Sequence, residues 1–243
     1  MIKRMALYSI PRQTDGDAFW RYHTQEHAPA ILQVCGDRLV KYAINRVIDL
    51  TKGTTRFFGV VETWWRDRTA MQTGFQALES EVLPSGKSVA QDYFGRLADQ
   101  PFAFEVEEFV AKKDSRELRS PPAKYMGFYS LPQGADPDIF WEYHTREHAV
   151  HSVDSFDDYL EYYVINRVSR VVKGQAVCFG VVELWFADSE CLTKGFEAHK
   201  RVILPNGRNV SEDFNVRVAD AFGYVVEEFI AIGQDHPLMG LKS

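Results

Sequence analysis

The chain has 243 residues, 45% of them apolar and 14% aromatic, which is enough to bury a substantial core. Its formal net charge of -6 is spread over interleaved acids and bases without a Lys/Arg cluster, so a nucleic-acid surface is excluded and a small organic ligand is favoured. The cysteines Cys35, Cys178 and Cys191 form no CxxC pair, the N-terminus lacks a signal-peptide core, and no apolar run reaches membrane-spanning length; a reduced, cytoplasmic protein without a membrane partner is expected.

Residues 4–10 are a short apolar stretch stopped by Pro11, read as a strand. Asp15 or Asp17 caps the helix that follows, along which Phe19, Trp20, His23, His27 and Ile31 recur at three- and four-residue intervals. Both histidines therefore share one helical face. Residues 39–49 alternate and are β-branched, Lys52-Gly53-Thr54 reads as a hairpin turn, and residues 56–65 are an aromatic, Val-rich strand pairing antiparallel with the first. A polar helix over 68–82 is broken at residues 83–86. A short helix at 89–98 and a closing strand at 102–110 complete a βαββαβ unit. The segment 112–122, KKDSRELRSPP, reads as a surface linker. The same order returns at 125–131, 140–151, 158–170, 177–186, 191–203, 211–219 and 224–232, and a frayed tail follows Asp235.

The return is literal. FWRYHTQEHA at 19–28 is matched by FWEYHTREHA at 140–149, and a shift of 121 positions aligns residues 5–99 with 126–220 without a gap, about two in five of them identical. We divide the chain into a first unit (1–111), the linker (112–122) and a second unit with the tail (123–243). Each unit is a four-stranded antiparallel sheet with helices on one face. The fold class is α+β, two ferredoxin-like units packed sheet to sheet, with an expected ligand cavity inside the barrel so enclosed.

The repeated FWxYHTxEHA helix, the Tyr-x-Ile-Asn-Arg-Val strand (42–47, 163–168) and the Gly-Val-Val-Glu-x-Trp strand (59–64, 180–185) resemble the EthD-like family of the dimeric α/β-barrel superfamily. The resemblance spans nearly the whole chain and implies a barrel built within one chain rather than from two. It also implies a range of chemistry: cofactor-free isomerases, dehydratases, decarboxylases, cyclases and anthrone-type oxygenases acting on aromatic or polyketide compounds, with haem binding in more distant branches.

His23, His27, His144 and His148 are the candidate catalytic residues, because an imidazole can take a proton from one substrate position and return it to another. In the competing reading, one histidine of each pair only braces the fold. Strand alternation puts Glu62 and Glu183 on the barrel side among Phe58, Trp64, Phe179 and Trp185, as catalytic partners or as halves of Glu-Arg pairs with Arg46 and Arg167. Of each Asn-Arg pair (Asn45 and Arg46, Asn166 and Arg167), one residue faces the cavity. Tyr22 and Tyr143 are candidate oxyanion donors, and Trp20 and Trp141 candidate ring contacts. Of the two histidines particular to the second half, His151 is the stronger candidate addition to the site, while both His151 and His199 read at least equally as surface residues. His-x-x-Glu-His also fits an inverted zinc-peptidase helix, but no third ligand is evident. The leading expectation is a cofactor-independent lyase or isomerase for a small aromatic, phenolic or polyketide-like compound, without metal, acting as a monomer or homodimer. An oxygenase, cofactor-free or haem-dependent, and a non-catalytic carrier of a hydrophobic metabolite are the alternatives.

Overall fold

In the first strand, β1 (Ile2–Tyr8), Lys3, Met5 and Leu7 are buried on one face, while Arg4, Ala6 and Tyr8 lie on the other. Alternation of this kind along the regular stretches of a strand decides what each face of the sheet can do. The structure is a computed structural model that describes residues 1–53, 57–113 and 122–232.

After β1 come helix α1 (Gly16–Tyr22), a π-helical turn (His23–His27) and α2 (Ala28–Cys35), which run on as one continuous rod. Strands β2 (Leu39–Lys52) and β3 (Gly59–Trp65), helices α3 (Arg68–Ser80) and α4 (Val89–Phe94) and strand β4 (Phe102–Lys113) complete the first half. The second half repeats the order: β5 (Ala123–Ser130), α5 (Pro137–Tyr143), a π-helical turn (His144–His148), α6 (Ala149–Phe156), β6 (Leu160–Lys173), β7 (Gly180–Phe186), α7 (Ser189–Arg201), α8 (Val210–Asn215) and β8 (Asp220–Ile232). The expected linker lies mostly outside the described residues, as do Thr54 of the expected turn and the tail.

Local chemistry accounts for the helix starts. Asp15 accepts from the Asp17 and Ala18 amides, Asp136 from Asp138 and Ile139, and Ser88 with Gln91 and Asn209 with Glu212 close capping boxes.

The described strands form one closed antiparallel barrel in the order β1-β3-β2-β8-β5-β7-β6-β4. Two seams join the halves. Along one, Val47 of β2 faces Val226 of β8; along the other, Val106 of β4 faces Val168 of β6. The closure bears out the expected intrachain barrel and specifies how it forms: the halves hydrogen-bond edge to edge along both seams, so no described strand is left with an open edge. The chain is a dimeric α/β barrel built within one chain, with the helices outside.

Among the described residues the barrel interior is packed rather than open, unlike the expected ligand cavity. Met5, Leu7, Val60, Phe104, Met126, Phe128, Val181 and Tyr224 fill one end as an apolar core, each worth about 1.5–3 kcal/mol of burial for the larger side chains. The other end is filled by ions. Lys3 Nζ lies 3.0 Å from Glu62, 3.0 Å from Glu108 and 2.5 Å from Glu183; Lys124 Nζ lies 2.6 Å from Glu62, 2.8 Å from Glu183 and 2.7 Å from Glu228. Asn45 and Asn166 donate to Glu62 and Glu183 at 2.8 and 2.7 Å.

Candidate active site

The open space lies between the outer face of the sheet and the helices, once in each half. The first-half cavity measures about 680 Å³ and the second-half cavity about 570 Å³, both in the range that holds a small organic molecule.

The helix-borne histidines reach this layer because the HTQEH and HTREH segments are wound as π-turns. Thr24 Oγ1 donates back to the Trp20 carbonyl and Thr145 Oγ1 to that of Trp141, both at 2.8 Å; the Ala28 amide then closes on His23 O and the Ala149 amide on His144 O. The paired rings sit 5.5 Å apart for His23 and His27 and 5.3 Å for His144 and His148.

His144 is fully buried between two tyrosines. Its Nδ1 is 2.8 Å from the Tyr129 hydroxyl and its Nε2 is 3.4 Å from that of Tyr163; His23 has the same arrangement, 3.0 Å from Tyr8 and 3.3 Å from Tyr42. A neutral imidazole has one N–H and one lone pair, so one tyrosine donates to the ring and the other accepts from it. The accepting tyrosine keeps its own hydrogen. Gly59 and Gly180 make room for this packing. A Cβ on Gly59 would come within 2.6 Å of both the Tyr8 hydroxyl and the Asn45 carbonyl, and one on Gly180 would strike the Tyr129 hydroxyl.

The second-half cavity gathers three imidazoles: His144, His148 and His199. His148 Nε2 is 3.1 Å from the Ser152 hydroxyl, and its ring stacks on Phe214 at 4.6 Å. His199 lies flat on Phe156, 4.2 Å away, with Nδ1 2.6 Å from Ser155 Oγ. Ser155 also reaches the Ser152 carbonyl at 3.0 Å. With the hydroxyl hydrogen on that carbonyl, His199 Nδ1–H donates to Ser155 and Nε2 is left as a bare lone pair. Burial holds His144 down at about 3; His199 is held at about 4, by burial first and then by Lys200. Burial, reinforced by neighbouring positive groups, also keeps His148 well below the ordinary histidine range. At neutral pH all three are uncharged bases. Tyr125, Tyr129, Tyr163 and the rings of Phe156, Phe196, Phe214 and Phe222 complete a largely apolar wall.

The first half lacks most of this chemistry. Ile31, Val34, Leu78 and Tyr93 stand where the second half has Ser152, Ser155, His199 and Phe214. His27 lines the first cavity and stacks on Tyr93 at 4.3 Å, with its pKa held at about 3 by burial.

Several sequence-based assignments are corrected. Glu62 and Glu183 face the barrel interior as expected, but their partners are Lys3 and Lys124 rather than Arg46 and Arg167, and the sheet separates them from the histidines. Burial raises the Glu62 carboxyl, yet the Lys124 and Lys3 ammoniums outweigh it and hold it at about 2. Of each Asn-Arg pair, the Asn faces inward. The Arg turns outward to a helix start, Arg46 to Asp17 at 2.5 Å and Arg167 to Asp138 at 2.6 Å. Trp64 and Trp185 lie inside the barrel beneath Lys3 and Lys124 at 4.6 and 4.4 Å, and Trp185 donates to Glu228. Tyr22 and Tyr143 are not free oxyanion donors, since they donate to Asp92 and Asp213 at 2.6 and 2.8 Å. Phe58 and Phe179 pack against Phe19 and Phe140 rather than in the barrel, and Trp20 and Trp141 pack against Phe229 and Phe109. His151 is exposed. Glu26 and Glu147 are exposed as well, which removes the zinc-peptidase geometry, and among the described residues no cluster of three or more His, Cys, Asp or Glu could hold a metal. His199, which lines this cavity, and Ser155, which holds it, are not among the sequence candidates; the exchange of Leu78 for His199 between the halves is the available signal.

No protein-family model and no curated protein matches the chain. Solved structures match it in fold. A candidate monooxygenase from Fusobacterium nucleatum subsp. nucleatum superposes with a TM-score of 0.60 at 8% identity, covering 94% of this chain and 93% of that one. An anthrone oxidase-like protein gives 0.58 at 12% identity, covering 95% and 93%. A chlorite dismutase variant from Candidatus Nitrospira defluvii gives 0.50 at 7% identity, covering 93% and 91%. At these identities the shared property is the fold.

Proposed function

We propose that the second-half cavity is the active site of a cofactor-independent enzyme that moves a proton on a neutral aromatic, phenolic or polyketide-like compound, in keeping with the EthD-like resemblance of the sequence. The observation that carries this reading is the set of three uncharged imidazoles, one with a free Nε2, in an aromatic-walled space bearing tyrosine hydroxyls. His199 Nε2 takes a proton from a carbon next to a carbonyl. The electron pair moves onto the carbonyl oxygen, which receives the Tyr163 hydroxyl hydrogen as a hydrogen bond. His144, held between Tyr129 and Tyr163, positions that hydroxyl. Return of the proton at another position gives an isomerase, and loss of a β-hydroxyl as water gives a dehydratase of the lyase class.

Dioxygen as acceptor of the enolate electrons gives the second reading, an oxygenase. The fold likeness to a candidate monooxygenase and an anthrone oxidase-like protein supports it. Both readings share the first step, so the test measures that step. Anthrone in heavy water under argon should exchange its C10 hydrogens faster with the protein than without, by mass spectrometry, and His199→Ala and His144→Ala should remove the acceleration. Exchange no faster than the uncatalysed rate would overturn the proposal. Oxygen uptake on admitting air then separates oxygenase from lyase or isomerase.

A further inference from the structure

The first-half cavity differs from its counterpart in charge. Across the outer face of the sheet, Thr63, Arg4, Glu105 and Arg170 lie in one cross-strand row on β3, β1, β4 and β6. Arg68, at the start of α3, holds both oxygens of Glu105 at 2.8 and 2.6 Å, and Arg170 approaches the same carboxylate at 3.7 Å. Glu105 is therefore already occupied. Arg4 lies half-buried with its guanidinium 4.3 Å over the Phe75 ring, and among the described residues that guanidinium has no hydrogen bond and no ion pair within 4 Å. It lines the cavity with all its donors available. Lys173 also lines the cavity, and Glu79 is the second carboxylate there, so four cations meet two acids. Deeper in, the cavity is apolar and aromatic: Ile31, Trp65, Met71, Leu78 and Tyr93.

The equivalent row in the second half is Leu184, Tyr125, Val225 and Asp49, and Ser189 replaces Arg68. The three arginines belong to the first cavity alone, whereas Lys173 has its counterpart in Lys52, which lines the second. A planar guanidinium, stacked on a ring and with no hydrogen bond from its N–H groups among the described residues, matches a carboxylate in bidentate fashion.

We propose that the first-half cavity is a second ligand site, distinct from the proposed catalytic one, which binds an apolar or aromatic carboxylic acid: the carboxylate is taken by Arg4 and the hydrocarbon body lies against Trp65, Met71 and Leu78. Glu105 acts on Arg4 only through space, since Arg68 takes both of its oxygens in hydrogen bonds. The site does not depend on the acid-base reading of the other half.

The probes are 2-naphthoate and its neutral counterpart 2-naphthamide, titrated calorimetrically into the full chain. Wild type should bind the acid at least roughly tenfold more tightly than the amide, as a charge-assisted hydrogen bond implies. Arg4→Gln should abolish that preference while leaving amide binding unchanged, Arg4→Lys should retain part of it, and Tyr125→Phe in the other cavity should leave it intact. Circular dichroism on each variant confirms the fold. Equal binding of acid and amide, no saturable binding of the acid, or an acid preference that survives in folded Arg4→Gln would overturn the proposal.

Discussion

Replacing Glu62 by Gln tests the ionic end of the barrel, because the change keeps the side chain's shape and its acceptor for Asn45 while removing one charge from between Lys3 and Lys124. An ordinary carboxyl near 4.5 is held at about 2 in the folded chain, which corresponds to about 3 kcal/mol of stability at neutral pH. This agrees with the roughly 3–5 kcal/mol that breaking a buried ion pair costs. The folded pKa is depressed, so the contribution is complete above about 4.5, where both states are ionised. It is lost as pH falls towards about 2, since the unfolded chain takes up the proton first. Urea unfolding followed by circular dichroism should therefore show the variant about 3 kcal/mol less stable at about pH 6, and the gap should shrink to less than half by about pH 3. Carboxyls that do not touch Lys3 or Lys124 cancel in the difference. A gap as large at the acid end as at neutrality would refute the assignment of Glu62 as an ionised partner of both lysines.

Exchange catalysed by the second-half cavity should be level from neutral pH down to about 5 and fall as pH drops through about 4, where His199 gains its proton; a midpoint near the ordinary histidine value would show that a solvated group is the base. Tyr163→Phe should slow the exchange about 10- to 1,000-fold with little change in binding, measured as kcat against KM. Gly59→Ala should cost about 1–3 kcal/mol, because its Cβ would meet the Asn45 carbonyl, which cannot move freely within the sheet; for a chain of this size, thermal unfolding should fall by about 2–4 °C per kcal/mol.

The elements were legible because their signals are local. Asp15, one of two expected caps, caps its helix, and the inward setting of Glu62 and Glu183 follows from strand alternation together with the small and apolar residues at Gly59, Val61, Gly180 and Val182 on the opposite face. What those carboxylates meet was not legible. Lys3 and Lys124 lie on strands whose neighbours are fixed by barrel closure, and a lysine near the start of a strand reads from sequence as a solvated end. The position of the open space differs from the sequence expectation for the same reason: one face of the sheet had to be packed solid, and only the closed barrel shows that it is the inner one. Tyr22 and Tyr143 looked free until α4 and α8 brought Asp92 and Asp213 against them. His199 and His151 are alike as letters; burial against Phe156 distinguishes the first, and the helix turn that exposes His151 distinguishes the second.

Two cavities of one design within a single polypeptide have a consequence for variation. In a barrel assembled from identical subunits, every substitution alters both cavities at once, and a change useful in one must be tolerated in the other. Here Arg4 can stand opposite Glu105 while Tyr125 stands opposite Val225, and neither choice restricts the other. The barrel interior lacks that freedom: each lysine touches carboxylates from both halves, so a change there is felt by the whole molecule. Substitutions that redirect ligand choice should therefore accumulate on the outer sheet face and the helices over it, with the lysine-glutamate centre kept as common property.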